Sequence, residues 1–119
     1  MSGIIGTSQS KSGVVGKSQD TAKAWVNFNG GSGAEAVRGD FNVSSVGDVG
    51  QGRYKINFKT EVSGDYSVVV SGGDASGGQA GMQTAAYDFA ITHVKFMSWT
   101  YDGSGYLDVP YGFVQVFGD

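Results

Sequence analysis

From Lys23 onward, apolar and polar residues alternate with a period of two. Ala24, Val26 and Phe28 fall on one side of an extended segment, and Lys23, Trp25 and Asn27 on the other. That is the signature of a strand with one buried face. The alternation is cleanest in residues 53–59, where Tyr54, Ile56 and Phe58 oppose Arg53, Lys55, Asn57 and Lys59, a polar set that must face water. Further strands are predicted over residues 41–46, 66–71, 85–101, 106–109 and 112–117. The run of three valines at 68–70 predicts a central strand. Residues 82–102 are the longest stretch without glycine, so a helix is conceivable there. Tyr87, Phe89, Ile91 and Thr92 are strand formers, however, and Phe89 and Ile91 alternate with Ala90, Thr92, Val94 and Phe96.

Glycine clusters punctuate these runs. Residues 30–33, 47–52, 63–65, 72–81 and 102–105 read as loops, and Pro110, which has no N–H, confines its junction to an edge or a bulge. Short strands spaced by about ten residues and joined by turns indicate an all-β fold, an antiparallel β-sandwich of six to eight strands. A chain of 119 residues has room for one such domain, predicted over residues 23–119.

Residues 1–22 have a different texture. Ser2-Gly3-Ile4-Ile5-Gly6-Thr7-Ser8-Gln9 recurs ten residues later as Ser12-Gly13-Val14-Val15-Gly16-Lys17-Ser18-Gln19. Two copies are too few for a solenoid, and a pair of β-branched residues per copy offers little surface to offset the ordering entropy. The expectation is an extended arm that orders when it docks on a partner, with Ile4, Ile5, Val14 and Val15 as anchors adding to a sheet edge. A disordered tail is the competing reading.

Composition narrows the function classes. The 21 glycines and single proline disfavour helix. Eight basic residues against 11 acidic ones give a net charge of −3, so nucleic acid is not an expected partner. No apolar run reaches the roughly 20 residues of a membrane span, and the first twenty residues carry no signal-peptide pattern, so neither membrane insertion nor secretion is expected. The absence of cysteine excludes disulfides, zinc–thiolate sites and thiol catalysis.

Motifs that invite a catalytic or metal reading fail on inspection. Gly13-Val14-Val15-Gly16-Lys17-Ser18 lacks the first glycine of a phosphate-binding loop, where Lys11 stands instead. Residues 30–37 approach a calcium-binding β-roll repeat, but in one copy, with Glu35 in place of aspartate. Asp102-Gly103-Ser104-Gly105 supplies too few oxygens for calcium. His93 is the single histidine, and no Gly-x-Ser-x-Gly elbow accompanies it. Asp88, Asp102 and Asp108 could form a carboxylate pair for glycoside hydrolysis, but aspartates near turns are ordinarily turn chemistry. No catalytic residue, metal site or cofactor is therefore expected. One constellation survives: Trp99, Tyr101, Tyr106 and Tyr111 flank the turn containing Asp102. Aromatic rings beside a carboxylate suit stacking on a sugar or packing on a partner, against the plainer reading that they close the end of the sandwich.

The strings Ser12-Gly13-Val14-Val15-Gly16, Ala24-Trp25-Val26-Asn27-Phe28-Asn29-Gly30, Phe41-Asn42-Val43-Ser44-Ser45-Val46 and Gly52-Arg53-Tyr54-Lys55-Ile56-Asn57-Phe58 carry a resemblance. Through them residues 2–58 resemble a family of short tail-fibre or virion structural proteins from tailed bacteriophages of aquatic bacteria. The hairpin Asp48-Val49-Gly50-Gln51-Gly52 departs from the family's Asp-Asn-Gly-Thr-Gly type, and residues 72–81 look individual to this chain. The resemblance implies a non-enzymatic component of the virion, made in the host cytoplasm, with other virion proteins contacting residues 1–22. The leading expectation is a homotrimeric tail-fibre or appendage protein, whose association would cover outward residues such as Trp25 and Val69. The alternative is a capsid decoration or cement protein that laces its arm along neighbouring subunits. A free glycan-binding module using Trp99 and Tyr106 is a third, and a host surface glycan is a candidate partner under the first as well.

Overall fold

The computed structural model of the chain describes residues 22–31, 36–73, 82–100 and 102–118. The anchors Ile4, Ile5, Val14 and Val15 lie outside these residues, as does Tyr101. The described residues form eight strands and no helix: β1 (Ala22–Asn29), β2 (Ala36–Phe41), β3 (Val43–Gly50), β4 (Arg53–Phe58), β5 (Tyr66–Gly73), β6 (Gln83–Tyr87), β7 (His93–Trp99) and β8 (Tyr111–Gly118). They pair into two four-stranded antiparallel sheets, β2-β1-β8-β5 and β3-β4-β7-β6, so the fold is all-β as expected.

The alternating positions meet between the sheets. Ala24, Val26 and Phe28 of β1 join Val114 and Val116 of β8, and against them lie Tyr54, Ile56 and Phe58 of β4 with Val94 and Phe96 of β7, all buried. Phe28 is the main tie between layers. Its ring meets Tyr54 at 5.0 Å and Phe96 at 5.6 Å between centroids, both edge-on, an arrangement favoured by the ring quadrupoles. Its cross-strand partner is Gly112, and a Cβ there would collide with the Phe28 ring. The small residue makes room for the large one.

Five predicted elements come out differently. Residues 41–46 are not one strand, because the chain leaves the first sheet after Phe41 and enters the second at Val43. Asn42 makes that corner with a left-handed backbone (φ 58°). Its amide donates to the carbonyls of Lys23 and Thr60, each at 3.0 Å, and its Oδ1 accepts from the Thr60 N–H at 2.7 Å. Asparagine tolerates this conformation better than most residues. Residues 66–71 extend to Gly73 but form an edge strand, since β1 and β8 take the centre. The β5 valines alternate faces, leaving Val69 55% exposed.

In place of the strand predicted over 85–101, β6 and β7 form a hairpin, broken by a second left-handed residue, Asp88 (φ 53°), so Phe89 and Ile91 emerge in the turn while Val94 and Phe96 are buried. Residues 106–109 form no strand: Tyr106 makes an isolated bridge to Trp99, and the chain then crosses between layers to β8. The hairpin loop predicted over 47–52 is also shorter than expected, because β3 continues to Gly50 and leaves Gln51 and Gly52 as the turn.

Candidate functional site

The connection from β7 to β8 is held by a knot of polar contacts at one end of the layers. Gly52, in the β3–β4 turn, has a positive φ of 68° that favours glycine. Its N–H donates to Asp108 Oδ1 at 2.7 Å, and its carbonyl accepts from the Ser98 N–H at 2.8 Å. Ser98 in turn donates its hydroxyl to the Leu107 carbonyl. The Leu107 N–H returns a bond of 3.1 Å to the Ser98 carbonyl.

Tyr54 closes the knot from inside. Its hydroxyl oxygen accepts from the Val109 N–H at 3.2 Å and lies 3.1 Å from Asp108 Oδ1 and 3.3 Å from the Gly30 carbonyl. Burial pushes this phenol well above its ordinary range, with the nearby Asp108 carboxylate acting in the same direction, so it stays protonated and available as a donor. Satisfied buried polar groups of this kind fix one loop geometry.

The loop so anchored carries the turn at its tip. Thr100 donates its hydroxyl to Asp102 Oδ1 at 2.7 Å, and the Ser104 N–H donates to the same oxygen at 3.0 Å. The Thr100 hydroxyl and the Ser104 backbone hold the Asp102 carboxyl below the usual carboxylate range. Asp102 therefore staples its own turn, in the manner of an Asx turn. Beside it, Met97, Trp99, Gly103, Gly105 and Tyr106 line an open depression of about 340 Å³. Tyr106 is 46% exposed, and the Arg53 guanidinium lies over its ring at 4.8 Å from the centroid.

The sequence-predicted surface is thus divided. Trp99, Asp102 and Tyr106 come together at the tip. Tyr111 does not join them: it starts β8 in the other sheet, where Arg38 stacks on it at 4.0 Å and Phe113 lies at 6.3 Å. Arg38 also donates to Asn27 Oδ1 at 3.2 Å and to the Pro110 carbonyl at 2.7 Å. Arg53 and Met97 are additions that sequence reading passed over. Arg53 belongs to the polar face of the cleanest strand, and nothing in the alternation distinguishes a cation beside an aromatic ring from a merely solvated one.

No family model, curated protein or solved structure matches this chain. Among the described residues no group of three or more His, Cys, Asp or Glu side chains is placed to hold a metal ion.

A second feature lies on the outer face of the β2-β1-β8-β5 sheet. Cross-strand pairing aligns Phe41, Trp25, Gln115 and Val69 in one row over all four strands. Phe41, Trp25 and Val69 are 43%, 40% and 55% exposed. The Trp25 ring also covers Gly39, lying 3.4 Å from where a Cβ on that residue would be. Single exposed apolar residues are ordinary; here Phe41 and Trp25 are direct cross-strand neighbours, and Gln115 separates them from Val69.

Proposed function

We propose that the chain is a non-catalytic structural component of a bacteriophage particle, a trimeric tail-fibre or appendage protein. Residues 1–22 attach it to the particle, and the β7–β8 loop faces the host. The phage assignment is supported by the strings around Trp25, Val43 and Tyr54 through which the chain resembles tail-fibre proteins. The observation that carries the associating role is the apolar row Phe41, Trp25 and Val69 across the outer face of one sheet. Covering that row with neighbouring copies removes apolar surface that a domain of this size cannot bury within itself.

Sedimentation of the full chain at about micromolar concentration, a range in which specific interfaces persist, is expected to show a trimer. The Trp25→Ser, Val69→Ser double variant is expected to be a folded monomer. Deleting residues 1–20 should abolish incorporation into particles, and immunogold labelling of intact particles should mark the tail. A monomeric wild type, or labelling absent from the particle, overturns the proposal. Labelling over the shell replaces the appendage reading with that of a capsid decoration protein.

A further inference from the structure

Arg53 is unusually placed for a surface cation. Its Nε is buried and has no hydrogen-bond partner among the described residues, and neither described salt bridge involves it. Nη2 lies only 2.5 Å from where a Cβ at position 50 would be, so Gly50 leaves the space the guanidinium occupies. The guanidinium also lies over the ring of Tyr106, which lines the depression with Trp99 and Met97. Met97 is the cross-strand partner of Arg53, so the cation adjoins the depression through two of its lining residues.

The next outward residue on β4, Lys55, lies two positions along and faces Lys95 directly across the β4–β7 ladder. That spacing puts Arg53 and Lys55 about 7 Å apart along the strand. The chain as a whole is acidic, at −3, yet this face gathers three of its eight basic residues, of which Lys95 is paired with Asp88 at 2.9 Å while Arg53 and Lys55 are in neither described salt bridge. Arg53 and Lys55, neither in an ion pair among the described residues, thus stand beside an exposed aromatic, and an anion bound there would meet the terminal nitrogens of the guanidinium, not its buried Nε.

We propose that this depression is a subsite for a carboxylate-bearing sugar. The pyranose ring packs on Tyr106 and Trp99, the Arg53 guanidinium takes the carboxylate, and Lys55 takes the charge of the next residue of a polyuronate. The aromatic pair favours a sugar over a bare anion, since ring faces supply stacking area. The small number of cations and the acidic chain disfavour a nucleic-acid backbone, whose binding scales with the phosphates neutralised. The anchored loop makes the subsite rigid before the ligand arrives, which limits the ordering cost of binding. The inference rests on the reading of the β7–β8 loop as the host-facing surface. It is tested on the isolated chain, so particle incorporation and sugar binding succeed or fail independently.

The test is titration of the full chain with trigalacturonate, followed by calorimetry and by the shifts of Trp99 and Tyr106 ring resonances. Arg53→Gln is expected to weaken binding by about tenfold or more, and Arg53→Lys by a smaller factor, because a charge is kept but the planar fork is lost. Tyr106→Ala is expected to abolish the ring shifts, while Lys59→Gln, away from the depression, leaves affinity unchanged. Raising salt from about 50 to about 500 mM should weaken the complex, as the Debye length shortens. Maltotriose, a neutral trisaccharide, should bind at least about tenfold more weakly. Equal binding of maltotriose, equal loss in the Lys59→Gln variant, tighter binding of oligothymidylate, or no shift at about 10 mM trigalacturonate, beyond the millimolar range of weak specific sites, each overturns it.

Discussion

The two outer faces of the molecule are built on the same alternation and carry opposite chemistry. On the β2-β1-β8-β5 sheet, the row through Phe41, Trp25, Gln115 and Val69 is largely apolar, and Phe113 follows it on β8. On the β3-β4-β7-β6 sheet, the outward positions of the two central strands are Arg53, Lys55 and Asn57 facing Met97, Lys95 and His93. The inward residues of both sheets are similar in kind, chiefly valine, isoleucine, alanine or aromatic, with Ser98 and Gly112 as exceptions. Burial therefore dictates only every second residue, and the specific character of the protein resides in the other half.

The second face also sets two cations opposite one another at Lys55 and Lys95, an arrangement that destabilises a ladder. Asp88 relieves it on one side, 2.9 Å from the Lys95 ammonium, while Lys55 has no ion pair among the described residues.

If the faces differ only outside a shared core, damage to the core must remove both at once. Phe28→Ala gives the largest expected effect, because its ring touches Tyr54 and Phe96 across the layers and is fully buried. A loss of about 3–5 kcal/mol is expected. In urea, self-association and the Tyr106 environment should then be lost at one common, lowered midpoint. Separate midpoints would show two units that melt independently, and the comparison of faces on a single scaffold would fail.

A smaller effect is expected at the corner between the sheets. Asn42→Ala removes the acceptor of the Thr60 N–H and the donor to the Lys23 and Thr60 carbonyls, and it places alanine at φ 58°. About 1–3 kcal/mol should be lost. Asn42→Gly tolerates the same φ but makes none of those bonds, so it separates the two causes. It should recover about 1 kcal/mol of the loss if the left-handed backbone matters, read as the difference in urea midpoints. Equal midpoints for the two variants would assign the whole cost to the side-chain bonds.

That corner also shows where sequence reading reaches its limit. The inward residues of β1, β4 and β8 could be read directly, since Ala24, Val26 and Phe28, then Tyr54, Ile56 and Phe58, then Val114 and Val116 alternate without interruption and are buried. Both misread breaks, at Asn42 and Asp88, fall on non-glycine residues in the left-handed region. Neither interrupts the apolar pattern, so hydrophobic periodicity passes through them unchanged. Strand position was equally hidden: Val68-Val69-Val70 looks central by hydropathy, yet β5 is an edge because β8 pairs with both β1 and β5.

At the site, the aromatic cluster was visible as composition. Its division between two sheets was not, because Trp99 and Tyr106 are joined by a bridge whereas Tyr111 follows a crossover. The role of Arg53 depends on a neighbour more than fifty positions away, which no local pattern encodes.

The smallest expected effect concerns the charge balance of the cationic face. Asp88 accepts from Lys95 at 2.9 Å and lies 3.3 Å from His93 Nε2, and hydrogen bonding to Lys95, then to His93, holds its carboxyl below the ordinary value. A carboxyl lowered on folding adds stability that is present above its unfolded pKa of about 3.9 and is lost as pH falls through the folded value. Lys95 shifts upward, chiefly through its bond to Asp88. Its contribution is present below the unfolded value of about 10.4 and is lost as pH rises through the folded one. The wild type should therefore exceed Asp88→Asn in urea midpoint by a small margin near neutral pH, shrinking toward zero as pH falls below about 4 or rises above about 10. Asparagine accepts the left-handed backbone of position 88, so the comparison isolates charge. Added salt should narrow the margin by screening Lys55 from the unmasked Lys95. A margin that ignores both pH and salt would mean that Asp88 serves only the turn, and that the two lysines face each other at no cost.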